Sequence, residues 1–162
     1  MQINGYTIYE HECFTQQLDR LATTIESQKR SEKSSRSEET KLLKRILDEI
    51  ENIALNPDSP EYRLGKTLGS EYKFWRRAKF MGRYRLFFRY DSNSKIIILA
   101  WVNDSGTKRT YGGKNDAYTV FKKMLGNGNP PSDWTTLTQY QRNRTKEKQP
   151  LWAVSLFILS LA

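Results

Sequence analysis

The segment WRRAKFMGRYRLFFRY, residues 75–90, constrains the fold more than any other part of the chain. Basic and aromatic residues alternate on both sides of Met81-Gly82, which is typical of two strands joined by a tight turn. The run KIIILAWV at 95–102 is continuously apolar, as expected for a central strand buried on both faces. DSNS at 91–94 supplies the turn before it. The sequence therefore predicts three consecutive antiparallel strands.

The register of the first two strands decides where their arginines lie. Strand alternation puts the members of the second strand on two faces: Arg83, Arg85, Phe87 and Arg89 on one, and Tyr84, Leu86, Phe88 and Tyr90 on the other. A two-residue turn would bury Arg77 on the apolar face, where an unpaired charge is costly. A loop from Met81 to Arg83 pairs Arg77 with Phe87 instead, and Lys79 with Arg85. We therefore predict this three-residue loop, with Gly82 or a neighbour at a bulge, and an open cationic face.

One strand and two helices precede this sheet. GYTIYEH at 5–11 alternates as a strand does, and residues 13–30 carry apolar side chains at helical spacing. A polar connector at 31–39 leads to a second helix with an apolar stripe from Leu42 to Ile53, stopped by Pro57. This order predicts an α+β fold, with the two helices packed on one face of a small antiparallel sheet and the other face available for a ligand.

The C-terminal part is predicted to be a polar loop and further helices. The loop spans 104–114, a third helix starts with Asn115 or Asp116 as its cap, and Ser132 caps a fourth helix. We expect a single domain over 1–142. Residues 143–162 form a charged linker and an apolar tail, shorter than the roughly 20 residues that span a bilayer.

The positive charge of the chain is concentrated in one region. The net charge is +9, and nine basic residues between positions 63 and 90 are opposed only by Glu71. Such a cluster favours a nucleic acid or an acidic partner over a merely solvated face. The chain has one cysteine, Cys13, and one histidine, His11, which makes a zinc site improbable. A single cysteine also fits a reducing cytoplasm. We expect no signal peptide, no membrane partner and no cofactor.

A cationic sheet face of this kind suits one chemistry in particular. The sequence offers no carboxylate pair, no Ser-His-Asp set and no phosphate-binding glycine loop, but it has arginines to stabilise a phosphorane-like transition state. A lysine or tyrosine whose pKa is lowered by neighbouring positive charge could move the proton. These features favour attack of a ribose 2′-hydroxyl on the adjacent phosphodiester, with aromatic side chains stacking splayed bases.

Five segments closely resemble the YhaV toxin family of the RelE/ParE superfamily of type II toxin–antitoxin systems. They are NGYTIYEHECF, NPDSPEYRLGKTLGS, GRYRLFFRYDSNSKIIILAWVND, KRTYGGKNDAYTVFKKML and NPPSDW, and the resemblance covers roughly residues 3–138. It implies a cytoplasmic endoribonuclease that cuts mRNA in association with translating ribosomes. It also implies a PrlF-type antitoxin with an AbrB-like domain, through which the complex contacts operator DNA.

The resemblance also assigns roles to individual residues. WRRAKF holds the place of the family's Trp-x-Arg-x-Lys-Phe strand, so Arg77 is expected to stabilise the transition state, and Arg85 to lie at the scissile phosphate. Tyr111 is a candidate for proton transfer, but RelE uses a tyrosine nearer the following helix, so Tyr118 competes with it. The implied catalytic set is Arg77, Lys79, Arg85, Arg109 and Tyr111; the implied RNA-binding set is Arg83, Arg89, Lys66, Lys108 and Tyr118.

Several other residues are interpreted as structural. His11 and Cys13 are expected to pack, Trp75 and Trp101 to belong to the core, and Trp134 to fix the C-terminal segment. Two other function classes remain open at this point. One is a module that binds nucleic acid or an antitoxin without chemistry, and the other is a ParE-like gyrase inhibitor.

Overall fold

The computed structural model describes residues 2–30, 37–105 and 116–144, with only the backbone described for 142–144. Most of the predicted connector, most of the predicted loop after the sheet and the tail from 145 onward lie outside the described residues. The elements are β1 (Gln2–Ile3), β2 (Tyr6–Glu10), α1 (Glu12–Arg30), α2 (Glu38–Leu55), β3 (Arg76–Phe80), β4 (Tyr84–Asp91), β5 (Ile96–Val102), α3 (Ala117–Gly126) and α4 (Trp134–Arg144). Two short 3-10 helices, Pro60–Tyr62 and Ser70–Tyr72, lie between α2 and β3.

The strands form one sheet in the order β1-β2-β5-β4-β3. Three neighbouring pairs are antiparallel, and β2 pairs with β5 in parallel. The predicted α+β class with two N-terminal helices is thus confirmed and is consistent with a RelE-like fold. The parallel pair differs from the purely antiparallel sheet we expected, because β2 is separated from the hairpin by α1 and α2 and lies along β5. Every residue of β5 is buried, as its apolar sequence predicted.

Both faces of this sheet are covered. On one face, α1 and α2 pack on a core that includes Leu86 and Phe88 of β4. On the other, Phe121 of α3 stacks on Phe87 with ring centroids 4.1 Å apart and lies 6.0 Å from the ring of Trp101. The expectation of an open second face was therefore wrong. The aromatic side chains on that face are covered because α3 and α4 fold back over them.

The β3–β4 hairpin has the register that the sequence predicted. Arg77 pairs with Phe87, Lys79 pairs with Arg85, and a three-residue loop follows Phe80. Within the loop Met81 and Gly82 are left-handed, with φ of 47° and 74°. The bulge lies elsewhere than expected: the register shift recorded for β4 falls between Phe87 and Phe88, where β4 meets β5.

The cap of α3 is where it was predicted, and that of α4 is not. Asp116 is the N-cap residue of α3. For α4, the carboxylate of Asp133 accepts the Thr136 N–H at 2.9 Å, so Asp133 is the capping side chain. Ser132 is engaged with the core instead, where its hydroxyl accepts the indole N–H of Trp75 at 3.1 Å.

The residues interpreted as structural are packed as expected. His11 is buried and its Nδ1 accepts the Cys13 N–H at 3.1 Å, at the first turn of α1. Burial, with a smaller effect of the Glu12 charge, raises the pKa of the Cys13 thiol to about 11. Trp75 and Trp101 belong to the second core, and Trp134 packs against it.

Candidate active site

The centre of the site is the hydroxyl oxygen of Tyr118, which is shared by two guanidinium groups. Arg77 of β3 donates from Nε to this oxygen at 2.7 Å, and Arg85 of β4 donates from Nε at 3.0 Å. The register explains why both reach it: Arg77 faces Phe87, Arg85 lies two residues before Phe87 on the same face, and α3 lays Tyr118 across them. The ring of Tyr118 packs edge-on against Phe87, with centroids 5.7 Å apart.

Backbone carbonyls hold the other ends of the two guanidinium groups. Arg77 donates from Nη1 to the carbonyls of Glu61 and Arg63, at 3.1 and 2.9 Å. Arg85 donates from Nη1 to the carbonyls of Gly82 and Tyr84, at 3.0 and 2.8 Å. These bonds fix both planar groups in one orientation. Both residues are also less than a tenth exposed.

Each arginine keeps one terminal nitrogen for a further ligand. Within the described residues, Nη2 of Arg77 and Nη2 of Arg85 make no hydrogen bond. Neither atom is among the buried polar atoms that lack a partner, so both reach the surface. Two oriented cationic N–H groups of this kind suit the oxygens of a phosphodiester.

Positive charge favours ionisation of Tyr118. Its burial alone would raise the pKa, because the phenolate loses contact with water. The hydrogen bonds and charges of Arg77 and Arg85 act in the opposite direction and outweigh burial, so the pKa of Tyr118 lies below the value of 10.0 for a free tyrosine. The arrangement therefore provides a proton acceptor and two cations at one point.

Asn103 locks the start of β4 to the end of β5, and we did not foresee this from the sequence. Its side-chain oxygen accepts the Arg85 N–H at 2.6 Å, and its nitrogen donates to the Arg83 carbonyl at 3.0 Å. The residue is 1% exposed. One sequence feature could have indicated this role: Asn103 is the first polar residue after a fully apolar strand. A buried amide at such a position needs hydrogen-bond partners, and neighbouring backbone groups supply them.

Three of the remaining predicted residues, Lys79, Arg83 and Lys66, are exposed. Lys79 is exposed opposite Arg85, and Arg83 is exposed in the hairpin loop. Lys66 is exposed in the segment before β3, between the buried Leu64 and Leu68. Three predicted residues, Lys108, Arg109 and Tyr111, lie outside the described residues.

Arg89 is half-buried among aromatic rings at the other end of β4. Its guanidinium carbon lies 5.8 Å from the ring centroids of Phe74 and Trp75 and 5.2 Å from that of Trp134. Its Nη1 donates to the Ser132 carbonyl, whereas its buried Nε has no partner in the described structure. Burial lowers the pKa of Arg89, which shows how poorly this cation is solvated.

The described residues contain neither a membrane-spanning helix nor a metal-binding cluster. None of the described helices is long and apolar enough to cross a membrane. Within the same part of the chain, no group of three or more histidine, cysteine, aspartate or glutamate residues is placed to hold a metal ion.

The chain is similar to known toxins of toxin–antitoxin systems. The class is an endonuclease toxin: the family model described as "Toxin with endonuclease activity, of toxin-antitoxin system" matches residues 8–142. A protein named "Ribonuclease toxin YhaV" from Escherichia coli (strain K12) is 51% identical over 143 residues, covering 85% of this chain and 93% of that protein. "Toxin YhaV" from Escherichia coli O157:H7 matches with the same identity and coverage. No solved structure matches.

The chain therefore belongs to the YhaV toxin family. This result confirms the family and the class of enzyme that the sequence motifs indicated. As a member of a toxin–antitoxin system, the protein has an antitoxin as its partner.

Proposed function

We propose that this toxin is an endoribonuclease that cuts mRNA in association with translating ribosomes, by attack of a ribose 2′-hydroxyl on the adjacent phosphodiester. The observation that carries the proposal is the Tyr118 hydroxyl bound at once by Arg77 and Arg85. The ribonuclease name of the E. coli relative supports RNA as the substrate. Attack by a 2′-hydroxyl needs a proton acceptor beside cations, which is the combination that these three side chains form.

The chemistry is assigned to this centre as follows. The Tyr118 phenolate takes the proton of the 2′-hydroxyl, and the 2′-oxygen then forms a bond to phosphorus. The bond from phosphorus to the 5′-oxygen breaks, that oxygen takes a proton from solvent water, and the upstream fragment keeps a 2′,3′-cyclic phosphate. Tyr118 then returns the proton of the 2′-hydroxyl to solvent. The Nη2 groups of Arg77 and Arg85 bind the phosphate oxygens as negative charge grows on them.

Other cations extend the proposed site. Lys79 lies on the same strand face and is placed to neutralise the phosphate, while Arg83, Arg89 and Lys66 bind RNA outside the reacting bond. Arg109 as a further cation, Tyr111 as an alternative proton-transfer group and Lys108 as an RNA contact remain proposals from the family resemblance.

We further propose that the antitoxin is of the PrlF type and that it contacts operator DNA through an AbrB-like domain. The family assignment supports this, because the resemblance to the YhaV toxins implies an antitoxin of this type. The proposed location is the cytoplasm, where translated mRNA is found.

The test is cleavage of an mRNA during translation by the unsubstituted chain and by variants of Arg77. Arg77→Ala removes the cation, and Arg77→Lys keeps a charge but cannot bridge Tyr118 and two carbonyls at once. We expect both variants to lose cleavage by about 10²-fold or more, as when a transition-state donor is removed. Arg20→Ala, at an exposed position on α1, is the matched control and should cut normally.

Thermal unfolding of each variant separates loss of chemistry from loss of fold. A folded Arg77→Lys protein that cuts mRNA at the normal rate would contradict the proposed role. Tight RNA binding with intact mRNA in the unsubstituted protein would instead indicate a binding module.

A further inference from the structure

Phe74 is an exposed aromatic ring next to the strand that carries Arg77. It is 61% exposed, whereas the neighbouring Trp75 is fully buried. Phe74 precedes β3 and is three residues from Arg77, so their α-carbons are separated by at most about 11 Å. A large apolar side chain in this position contributes little to the core, and its exposure calls for another explanation.

Cations surround this ring. Lys73 Nζ lies 5.3 Å from its centroid, and the guanidinium carbon of Arg89 lies 5.8 Å from it. Arg76 begins the adjoining strand, and its Nη1 donates to the Lys73 carbonyl at 2.9 Å. In the described residues, no carboxylate is within salt-bridge distance of these three cations. The nearest carboxylate influence is the charge of Asp133, which acts on Arg89 without forming an ion pair. An exposed ring beside cations that form no ion pair suits a nucleobase whose flanking phosphates are anionic.

We propose that Phe74, with Arg89 and Lys73, forms a stacking subsite for one nucleobase of the RNA, beside the nucleotides whose bond is cut. The inference rests on the proposed ribonuclease function and extends it to substrate binding. The cations beside Phe74 are Lys73 and Arg89, whereas Arg77 and Arg85 lie at the Tyr118 hydroxyl, so the subsite takes a base that flanks the reacting phosphate. Stacking on a ring tolerates every base, so this contact contributes to affinity and to the placement of the strand.

Arg89 and Lys73 have separate parts in this subsite. Arg89 is fixed by Trp75, Trp134 and the Ser132 carbonyl, so it presents a rigid cation beside the ring. Lys73 is exposed and mobile enough, as a lysine, to leave the ring face when a base stacks there. Its ammonium group then pairs with a neighbouring phosphate.

The test measures binding of a single-stranded 2′-O-methyl oligoribonucleotide, which the enzyme cannot cut. A series of oligonucleotides carries one abasic nucleotide at successive positions. Each is titrated into the full-length unsubstituted chain and into Phe74→Ala, Phe74→Trp and Leu55→Ala. Leu55 is the matched control, because it is 67% exposed at the end of α2 and belongs to no proposed site.

We expect Phe74→Ala to weaken binding of the intact oligonucleotide about 5- to 150-fold, the usual effect of losing one stacked base. Phe74→Trp and Leu55→Ala should bind normally. In the unsubstituted chain, one abasic position should weaken binding by a similar factor, and in Phe74→Ala that position should have no further effect. The subsite would be overturned if the abasic nucleotide weakened binding by the same factor in both proteins, or if the unsubstituted chain did not bind the oligonucleotide.

Cleavage of translated mRNA by the unsubstituted chain is measured in parallel. If cleavage is normal but the abasic nucleotide weakens binding equally in both proteins, the subsite is refuted and the proposed function stands. If the abasic nucleotide weakens binding only when Phe74 is present but mRNA is not cut, the function is refuted and Phe74 remains a stacking residue of an RNA-binding protein.

Discussion

At the scale of single residues, the central feature is a buried tyrosine that lies against two buried arginines. Two guanidinium groups so close together repel one another, and burial removes the water that would screen them. Four backbone carbonyls and one phenol oxygen offset this cost by accepting the inner hydrogen bonds. Among the residues that the structure describes, no carboxylate lies within salt-bridge distance of either cation, so the charge of both remains for a phosphate to meet.

Tyr118→Phe tests the phenol oxygen alone. The ring remains to pack on Phe87, so we expect a folded protein, while cleavage falls about 10²- to 10⁴-fold, the usual contribution of general acid–base catalysis. Single-turnover cleavage of a translated mRNA measures the effect. Tyr140→Phe removes a hydroxyl from a partly exposed tyrosine of α4 and should leave the rate unchanged. Equal rates in Tyr118→Phe and the unsubstituted chain would exclude Tyr118 as the proton acceptor.

The ionisation of Tyr118 predicts a pH dependence. Burial opposes the phenolate, but Arg77 and Arg85 lower the pKa of Tyr118 below 10.0. The corresponding stabilisation is present above the unfolded pKa near 10 and is lost as pH falls through the lowered pKa of the folded protein. Phenolate absorbance, taken as the difference between the unsubstituted chain and Tyr118→Phe, should show one transition below pH 10. A transition at or above pH 10 would contradict the electrostatic argument.

At the scale of elements, the β3–β4 hairpin positions the arginines, and Asn103 fixes the hairpin to β5. In addition to the hydrogen bonds of the Asn103 side chain, the backbone N–H of Asn103 donates to the Arg85 carbonyl at 3.4 Å. Arg85 is thus bound to Asn103 through both of its backbone groups. This explains how Arg85, the second residue of β4, keeps a defined orientation although it lies close to the hairpin loop.

Asn103→Ala should therefore weaken both the fold and the reaction. It leaves the Arg85 N–H and the Arg83 carbonyl without their partner, which costs about 1–3 kcal/mol of unfolding free energy. Urea denaturation measures this cost, and cleavage should fall as Arg85 loses its fixed position. Asn52→Ala, at an exposed position on α2, is the control. If the two variants unfold at the same urea concentration, Asn103 does not have the proposed positioning role.

The hairpin also shows what the sequence could predict and what it could not. Placing Arg77 away from the apolar core gave the correct register, because side-chain alternation leaves only two choices. The same reasoning expected Arg77 to be exposed, yet it is 8% exposed. The partners that allow this burial are a tyrosine 41 positions later and two carbonyls before β3, and contacts of that kind are set by tertiary packing.

The cover over the second face was missed for a related reason. The periodicity of Tyr118, Phe121 and Leu125 predicted a helix with one apolar side but not the surface that this side would bury. Trp75, Phe87 and Trp101 in the sheet are that surface. Tyr118 was a candidate only through the family resemblance, and the choice of Tyr118 over Tyr111, which lies outside the described residues, stays a prediction.

At the scale of the whole molecule, the positive charge is concentrated in one stretch of the chain. Of the +9 net charge, the segment from 63 to 90 contributes nine basic residues against Glu71, and this segment carries Arg77, Arg85 and Phe74. Such a field raises the local concentration of RNA and falls with ionic strength. We propose that the antitoxin binds over this segment, which would prevent access of RNA to the arginines.

Attack by the 2′-hydroxyl is tested by replacing one ribose of the substrate. A translated mRNA is prepared with a single 2′-deoxynucleotide immediately upstream of a mapped cleavage site, next to an identical all-ribose control. Attack by the 2′-hydroxyl predicts that the control is cut to a fragment ending in a 2′,3′-cyclic phosphate, identified by mass spectrometry. It also predicts that the deoxy substrate stays intact at that site. Cleavage of the deoxy substrate at the same rate, or an upstream fragment with a 3′-hydroxyl end, would contradict the account.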